Sequence, residues 1–191
     1  LYLFAMRWTY ILKSLKEEGT NILLTDVDNI FSRYVPMSDL EESEFDVFHA
    51  YETKHPTEVY ERMGFVVCGG MGWFRADPKT IQFIEILLEH CGDNCDDQVE
   101  LNVVLSKHLD MQWDDDTAET SGTTAKRVQS ADDRYNGLLE IGKMGHSRIT
   151  GHRVKIWDRN FAFRGPLEPD VCPENNWVSM PIYEMHTRQH A

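Results

Sequence analysis

The stretch Asn21-Ile-Leu-Leu-Thr-Asp26-Val-Asp28-Asn29-Ile-Phe31 decides the fold class of this 191-residue chain. Its apolar first half is typical of a buried strand, and it ends in two aspartates separated by one residue. Because α/β sheets bind ligands at the carboxyl ends of their strands, we expect Asp26 and Asp28 to lie where a cleft forms.

Two carboxylates at this spacing are suited to a hard divalent cation. Asp26 and Asp28 supply oxygen ligands of the kind that Mg²⁺ and Mn²⁺ prefer, and two residues leave coordination positions free for substrate phosphates. The alternative interpretation of the same motif is a solvated acidic turn without a ligand.

The composition favours one globular domain over residues 1–191, since 41% of the residues are hydrophobic and 11% are aromatic. The net charge is −13, with 19 Lys and Arg against 32 Asp and Glu. Nucleic-acid grooves require an excess of cations, so we expect no nucleic-acid partner. If this acidic chain binds a phosphate, a metal must bridge the two.

No apolar run approaches the roughly 20 residues that a membrane-spanning helix needs, so we expect no membrane span in this segment. The sequence starts at Leu1, and we expect it to be an N-terminally incomplete fragment.

Four cysteines are too few for a disulfide scaffold at this length. Cys91 and Cys95 can form a short-loop disulfide in an oxidising lumen, or they can stay free. Their spacing without a second cluster is weak evidence for zinc. Cys68 ends an apolar run and is most simply a small buried hydrophobe.

The chain reads as alternating α/β units. Helices are predicted over residues 4–18 and 77–88, and a helical turn over residues 56–62. A further helix is predicted to begin after an N-cap at Asp96 or Asp97 and to bury Leu101, Val104, Leu105 and His108. Strands are predicted to end at Asp26 and to cover residues 45–50, 64–68, 71–75 and 152–157, with a break at Gly69-Gly70. Residues 39–44 are predicted to be a loop, and residues 114–135 a mobile loop.

Three segments in this order resemble a known family. A helix followed by G-x-N-I-L-x-T-D-V-D-N, a strand that breaks at Gly69-Gly70, and the motif Asp97-Gln98-x-x-Leu101-Asn102 together resemble the nucleotide-diphospho-sugar transferases of the GT-A type. The resemblance runs from about residue 5 to the end of the chain. It implies a GT-A-like α/β domain whose mixed, mostly parallel sheet has helices on both sides.

The chain departs from this family before its first helix. Relatives carry there a strand and a nucleotide-base pocket, which this sequence does not supply. UDP is therefore expected only because relatives use it, since no residue of this sequence is identified that would recognise the base.

The resemblance implies that Asp26 and Asp28 hold Mn²⁺, or Mg²⁺, against the diphosphate of a nucleotide sugar. It also implies a late histidine as a further metal ligand. His190 is the preferred candidate because a small residue, Ala191, follows it as in the family, and His186 is the alternative.

The resemblance places Asp97 and Gln98 near the anomeric carbon of the donor sugar. The acid would stabilise an oxocarbenium-like centre or bind sugar hydroxyls, and the amide would bind the same ring. The alternative is that Asp97 only caps its helix. Asn102 is expected either to orient Gln98 or to face solvent.

Gly69 and Gly70 would let the backbone approach the donor sugar. Arg7 matches the helix position at which relatives carry a basic residue near the diphosphate, and the alternative is an ordinary surface arginine. His49, Trp73 and Trp113 could line an acceptor surface, although core packing is the simpler role for each.

The resulting expectation is the transfer of a hexose or pentose from a nucleotide-diphosphate donor to a glycan or glycoprotein acceptor. Retention of configuration is implied by the resemblance of Asp97-Gln98 to retaining families, through a front-face mechanism in which the departing phosphate oxygen takes the acceptor proton. The family implies the Golgi lumen for a eukaryotic source and the cytoplasm for a viral or bacterial one.

Two other classes stay open at this point. The run ending in Asp26-Val-Asp28 also resembles the start of haloacid-dehalogenase-type phosphatases, for which Lys107 and an acidic pair at 114–115 or 132–133 would complete the site. The third class is a noncatalytic carbohydrate-binding or metal-binding module.

Overall fold

The computed structural model describes residues 2–35, 37–52, 54–92, 95–114, 142–158, 161–165 and 178–181. The helices are α1 (Tyr2–Lys13), α2 (Met37–Glu42), α3 (Thr57–Met63), α4 (Pro78–Cys91) and α5 (Asp97–Lys107), and a π-helical turn, Ser14–Glu18, extends α1. The strands are β1 (Ile22–Thr25), β2 (Ile30–Phe31), β3 (Val47–Tyr51), β4 (Val67–Phe74), β5 (Met111–Trp113), β6 (Lys143–Ser147), β7 (Arg153–Ile156), β8 (Ala162–Gly165) and β9 (Val178–Pro181).

The strands form a six-stranded sheet in the order β1-β4-β3-β7-β6-β5 and a three-stranded sheet in the order β2-β9-β8. The predicted mixed α/β architecture is confirmed, but the expected parallel majority is wrong. In the described part of the large sheet, the β3–β7 pair is parallel and the other four pairs are antiparallel. The reason is that the α3 connection starts and ends at the same end of the sheet, so β4 returns beside β3 without a crossover.

The central strands β3 and β4 of the large sheet are buried on both faces, as the alternation along β3 shows. Val47 and Tyr51 point to a core formed with α1, α4 and α5, whereas Phe48 and Ala50 point to the opposite core. That second core is covered by α2 and the small sheet, through Leu40, Ala162 and Val178.

The long helices form where their apolar periodicity predicts them. Trp8, Ile11 and Leu15 of the first helical segment are all buried. Gly19 ends this segment with a φ of 62°, and its N–H bonds the Ser14 carbonyl, a conformation that glycine adopts without strain.

The next helix, α4, begins as predicted, and a disulfide joins its end to the segment before α5. The Asp77 carboxylate caps α4 by accepting a hydrogen bond from the Thr80 N–H at 2.8 Å. Cys91 at the end of α4 is bonded to Cys95, which leaves a short closed loop just before α5.

The strand before Asp26 differs from its prediction in position. β1 pairs with β4 and is half-buried at the edge of the large sheet, because Ile22 and Leu24 pack against one core while Leu23 packs against the other. An apolar run of four residues on an edge strand gives the same sequence pattern as a central strand.

Other differences concern short or acidic segments. Met37–Glu42 is a helix rather than the predicted loop, and His108 is exposed at the end of α5 rather than buried. Except for Asp114, the predicted mobile loop lies outside the described residues. Among the described helices, none is long and apolar enough to cross a membrane.

Two histidines are buried: His49 on β3, and His152 just before β7. Both ring nitrogens of His49 and the Nε2 of His152 have no hydrogen-bond partner among the described residues. Burial lowers the pKa of His49 to about 3, with a smaller contribution from His152. Burial likewise lowers the pKa of His152 to about 4. Both rings are therefore neutral in the folded protein at neutral pH.

These histidines predict acid sensitivity. Their folded pKa values lie below the unfolded value of about 6.5, so the unfolded chain takes up protons first as the pH falls. The free energy of unfolding is therefore unaffected by these histidines above about pH 6.5 and decreases below it. As the pH falls from about 6.5 to the folded-state pKa of each histidine, that histidine should lower the free energy of unfolding by roughly 1.4 kcal/mol per pH unit. Denaturant unfolding of the wild-type chain and of His49→Leu at a series of pH values measures this slope.

In that experiment, the free energy of unfolding of His49→Leu should fall less steeply with decreasing pH than that of the wild type, because one of the two buried histidines is gone. His146→Ala, which changes an exposed histidine on β6, is the control and should keep the wild-type slope. A wild-type slope in His49→Leu would mean that His49 is not buried in its neutral form.

Candidate functional site

An irregularity in β4 creates the site. Between the pairs His49↔Gly72 and Tyr51↔Val67, β3 advances by two residues while β4 advances by five. The additional residues of β4 include Gly69 and Gly70, so the predicted break in this strand is confirmed as a bulge within it. Bulges of this kind redirect the backbone, and they are frequent beside active sites.

Gly70 holds the end of β1. The Asp26 N–H donates to the Gly70 carbonyl at 2.8 Å, and the Asn29 Nδ2 donates to the same oxygen at 3.2 Å. A Cβ on residue 70 would lie 1.9 Å from Asp26 Oδ2. Only glycine leaves the room that the Asp26 carboxylate occupies, so the two motifs depend on each other.

Arg7 of α1 joins the separate parts of the site. Its Nη2 donates to Asp26 Oδ1 at 2.7 Å, and its Nη1 forms an ion pair with Asp97 Oδ2 and donates to the Gly69 carbonyl at 3.2 Å. The planar guanidinium suits such a bridge, because its donors point in fixed directions. The alternative of an ordinary surface arginine is wrong.

The second aspartate of the motif lies in a turn. The Asn29 N–H bonds the Asp26 carbonyl at 3.3 Å, and the exposed Asp28 lies inside this turn. Within the described part of the chain, neither the Asp28 carboxylate nor Asp26 Oδ2 has a hydrogen bond or an ion pair. Both carboxylates therefore offer free oxygens on the same turn.

Asp97 is the first residue of α5, and the cap is Asp96. Asp96 Oδ1 accepts a hydrogen bond from the Val99 N–H at 3.0 Å, whereas Asp97 Oδ1 accepts from the Gln98 N–H at 2.9 Å. Burial raises the pKa of Asp97, which the guanidinium of Arg7 opposes. The interpretation of Asp97 as only an N-cap is therefore wrong.

Gln98 uses its amide to bind backbone. Oε1 accepts from the Gly69 N–H at 2.6 Å, and Nε2 donates to the carbonyls of Val67 and His55 at 2.8 and 3.1 Å. A Cβ on Gly69 would lie 3.3 Å from the Gln98 Cα. Gln98 thus fixes the start of α5 against the bulge, and its role toward a sugar stays a prediction.

Asn102 has no exposed surface. Its Oδ1 accepts from the Val67 N–H at 2.9 Å, and its Nδ2 donates to the Val67 and Gln98 carbonyls at 2.8 and 2.7 Å. The solvent-facing alternative is wrong, and so is a direct substrate contact. Asn102 instead orients Gln98, because it ties that turn of α5 to β4.

The ligand atoms available at the turn are of the type that a hard divalent cation prefers. Asp26 and Asp28 present carboxylate oxygens, and the missing side chain at Gly70 leaves the space for one of them. The described residues contain no group of three His, Cys, Asp or Glu that could hold a metal. His186 and His190 lie outside the described residues.

The other predicted site residues separate into core and surface. His49 and Trp73 are buried, which agrees with core packing rather than an acceptor surface. Trp113 is half-buried and lines a cavity of about 540 Å³.

The sequence assigned no role to Asn29 and left the N-cap of α5 open between Asp96 and Asp97. Asn29 follows the two aspartates directly, in a turn where side-chain amides often bond backbone, so its position was an available signal. Asp96 was one of two adjacent acids that could cap α5, and sequence alone does not distinguish two equal neighbours.

The chain was compared with known proteins in three ways. The model of the nucleotide-diphospho-sugar transferase family matches residues 2–147, well over half of the chain. Neither the comparison with curated proteins nor the comparison with solved structures gives a match. The matched segment includes Arg7, the Asp26–Asp28 turn, the glycine bulge and Asp97.

This match decides between the function classes. It favours a transferase that uses a nucleotide-activated sugar over a phosphatase of the haloacid-dehalogenase type and over a noncatalytic module. The chain belongs to the nucleotide-diphospho-sugar transferase family.

Proposed function

We propose that this glycosyltransferase moves a hexose or pentose from a nucleotide-diphosphate donor to a hydroxyl of a glycan or glycoprotein acceptor, with a divalent cation and with retention of configuration. The observation that carries the proposal is the bridge formed by Arg7. One guanidinium joins the Asp26 carboxylate on the turn to the Asp97 carboxylate on α5, directly beside the glycine bulge.

The diphosphate would lie against the turn that carries the two aspartates. Asp26 Oδ2 and the Asp28 carboxylate would hold Mn²⁺ or Mg²⁺, which would neutralise the charge of the leaving nucleoside diphosphate. Arg7 supports this arrangement because it fixes Oδ1 of Asp26 and leaves Oδ2 free. The same guanidinium is already bonded to two carboxylates, so it is a weak candidate for the sole partner of a diphosphate.

His190 would add an imidazole ligand to the two carboxylates. In support, β9 pairs antiparallel with β2 in the register Ile30↔Ser179 and Phe31↔Val178. Continuing this register brings the end of β9 at Pro181 level with Asp28. His186 and His190 follow Pro181 by five and nine residues, which in extended form span up to about 17 and 31 Å, so the chain is long enough to return to the turn from either position. His190 is preferred because Ala191 follows it, as the family resemblance implies.

Asp97 would act on the sugar from α5. Its carboxylate is held in place from two sides, by Arg7 and by the Gln98 N–H, and an ionised acid here would stabilise positive charge on the anomeric carbon. The bond from that carbon to the phosphate oxygen breaks, the bond to the acceptor oxygen forms on the same face, and the acceptor proton passes to the departing phosphate oxygen.

The metal assignment predicts the behaviour of two isosteric variants. Asp26→Asn and Asp28→Asn should each abolish transfer, because each removes a charged oxygen ligand. The exposed Asp28 should contribute no measurable stability, and loss of the partly exposed Asp26–Arg7 pair should cost at most about 1 kcal/mol. Sugar transfer at saturating Mn²⁺ and thermal unfolding measure the two effects.

The control for these variants is Asp39→Asn, which neutralises an exposed acid on α2. It should keep transfer near the wild-type rate. If Asp26→Asn or Asp28→Asn does so as well, the metal assignment is wrong.

Nucleotide binding should depend on the metal. With Mn²⁺, UDP at about 100 times its Kd should stabilise the protein by about 2.7 kcal/mol, which raises Tm by roughly 5–10 °C for a domain of this size. In EDTA the shift should be much smaller, because the acidic turn repels the diphosphate. Thermal unfolding with UDP, with and without Mn²⁺, measures the difference.

Two histidine variants extend this measurement. His190→Ala should weaken the Mn²⁺-dependent shift, whereas His186→Ala should leave it unchanged. If His186→Ala weakens the Mn²⁺-dependent Tm shift and His190→Ala does not, His186 is the metal ligand. If UDP raises Tm equally with and without metal, UDP binds at a different site.

The role of Asp97 is tested against its neighbour Asp96. Asp97→Asn should lower transfer by a factor of about 100 or more, which is the usual effect of losing a preorganised electrostatic contact. Asp96→Asn removes an equal charge one residue away and keeps the α5 cap, because Asn caps nearly as well as Asp. It should therefore retain most of the transfer rate.

The pH dependence of transfer adds a second measurement. Because burial raises the pKa of Asp97, the acid side of the wild-type profile should lie above the usual aspartate range, and it should be absent from the residual activity of Asp97→Asn. Equal transfer by the two Asn variants would remove Asp97 from the mechanism.

A further inference from the structure

We propose that the Cys91–Cys95 disulfide positions Asp97 for the proposed transfer reaction, on which this inference rests, so that loss of the bond releases the first turn of α5 and lowers transfer. The bond joins the last residue of α4 to the residue that precedes Asp96, the cap of α5. The two cysteines are positioning residues, because they act on the reaction only through Asp97.

The disulfide lies in the core that the large sheet forms with α1, α4 and α5. Cys91 and Cys95 are 5% and 1% exposed, and both belong to the cluster that contains Leu101 of α5. Their Cα atoms are 4.7 Å apart, and a single residue, Asp96, separates Cys95 from Asp97. A displacement of Cys95 is therefore passed directly to Asp97.

Backbone hydrogen bonds contribute little to the hold on this segment. Gly92 ends α4 with a φ of 51°, in the region that favours glycine, and its N–H makes no capping hydrogen bond. Neither Gly92 nor Cys95 forms a backbone–backbone hydrogen bond with a described residue. The disulfide and the burial of its sulfur atoms therefore tie Cys95 to the end of α4.

The first turn of α5 has a tendency to open. The first N–H groups of a helix have no intrahelical partner, and here the carboxylates of Asp97 and Asp96 bind the Gln98 and Val99 N–H groups at 2.9 and 3.0 Å. Burial raises the pKa of Asp97, so its carboxylate would regain hydration if the turn opened. The disulfide opposes this opening, because it fixes the chain immediately before the cap.

The rest of α5 is held independently of the disulfide. The Gln98 amide binds the Gly69 N–H, and the Asn102 amide binds both polar backbone groups of Val67. The disulfide also closes a loop over a separation of only four residues, which constrains the unfolded chain less than a long loop does. Loss of the bond should therefore act first on the Asp97 turn, while the fold persists.

Reduction of this bond converts one S–S bond into two thiols. The two electrons and two protons come from a dithiol reductant, which is itself oxidised to a cyclic disulfide. Because both cysteines are buried, the reductant has to wait for a local opening of the segment. Substitution of both cysteines by alanine is therefore the sharper test, and it leaves no buried hydroxyl without a partner.

The first test follows amide hydrogen exchange of the whole chain by NMR, which requires no ligand. In Cys91→Ala/Cys95→Ala, the Gln98 and Val99 N–H groups should exchange at least about ten times faster relative to the Gly69 N–H than in the wild type. Dithiothreitol should produce the same pattern in the wild type once both thiols have formed, and it should not alter the variant.

The control for this test is Ile81→Ala. It removes a half-buried side chain that packs on the same core near the opposite end of α4. This variant should leave the exchange of the Gln98 and Val99 amides, relative to that of Gly69, as in the wild type. A change in Ile81→Ala equal to that in the cysteine variant would reject a specific effect of the disulfide.

The second test is a double-mutant cycle on turnover. Transfer is measured as UDP released from a panel of UDP-hexoses and UDP-pentoses at saturating donor and Mn²⁺, below the Tm of every variant. Loss of both cysteines should lower kcat about ten-fold with Asp97 present, because small displacements of a catalytic group are costly. In Asp97→Asn the same loss should lower kcat by less than about two-fold, because the carboxylate through which the disulfide acts is gone.

Two results would overturn the proposal: unchanged relative exchange at Gln98 and Val99, or an equal fall in kcat with and without the Asp97 carboxylate. Failure of the proposed function gives a different result, because Asp97→Asn then keeps the wild-type kcat. In that case the part of this inference that concerns transfer fails too, whereas the exchange measurement still decides whether the disulfide holds the Asp97 turn.

Discussion

The close approach of side chains to the backbone at Gly69 and Gly70 is the constraint on which the rest of the structure depends. The Asp26 carboxylate occupies the place of a Cβ on Gly70, and the Gln98 amide bonds the N–H of Gly69. Both glycines belong to β4, which also pairs with β1 and β3 in the large sheet. The strand that organises the sheet therefore also sets the distance between the Asp26 turn and α5.

Charge at this point is balanced inside the protein. Asp97 is buried, and an unpaired buried carboxylate would be costly or would take up a proton. Arg7 provides the compensating charge and links that carboxylate to Asp26. Because one guanidinium serves both acids, the position of α1 fixes their relative placement, and the packing of Trp8, Ile11 and Leu15 in the core fixes α1.

The sequence predicted those features that depend on local chemistry. The periodicity of α1, α4 and α5, the capping by Asp77 and the break at Gly69-Gly70 all follow from neighbouring residues. The antiparallel pairing of β1 with β4 and the edge position of β1 follow from contacts between distant parts of the chain, which leave no local pattern. Strands such as β5, with three residues, are too short for alternation to be visible, and the bond from Arg7 to Asp97 spans 90 positions.

The two ends of α5 carry opposite charges, although the chain as a whole is acidic. Asp96 and Asp97 lie at its N-terminus, where the helix dipole favours negative groups, and Lys107 lies in its last turn, where the dipole favours cations. Asp97 and Lys107 are ten residues apart, about 15 Å along the helix, which is nearly two Debye lengths at physiological ionic strength. The charges at one end of α5 therefore have little influence on the electrostatic potential at the other end.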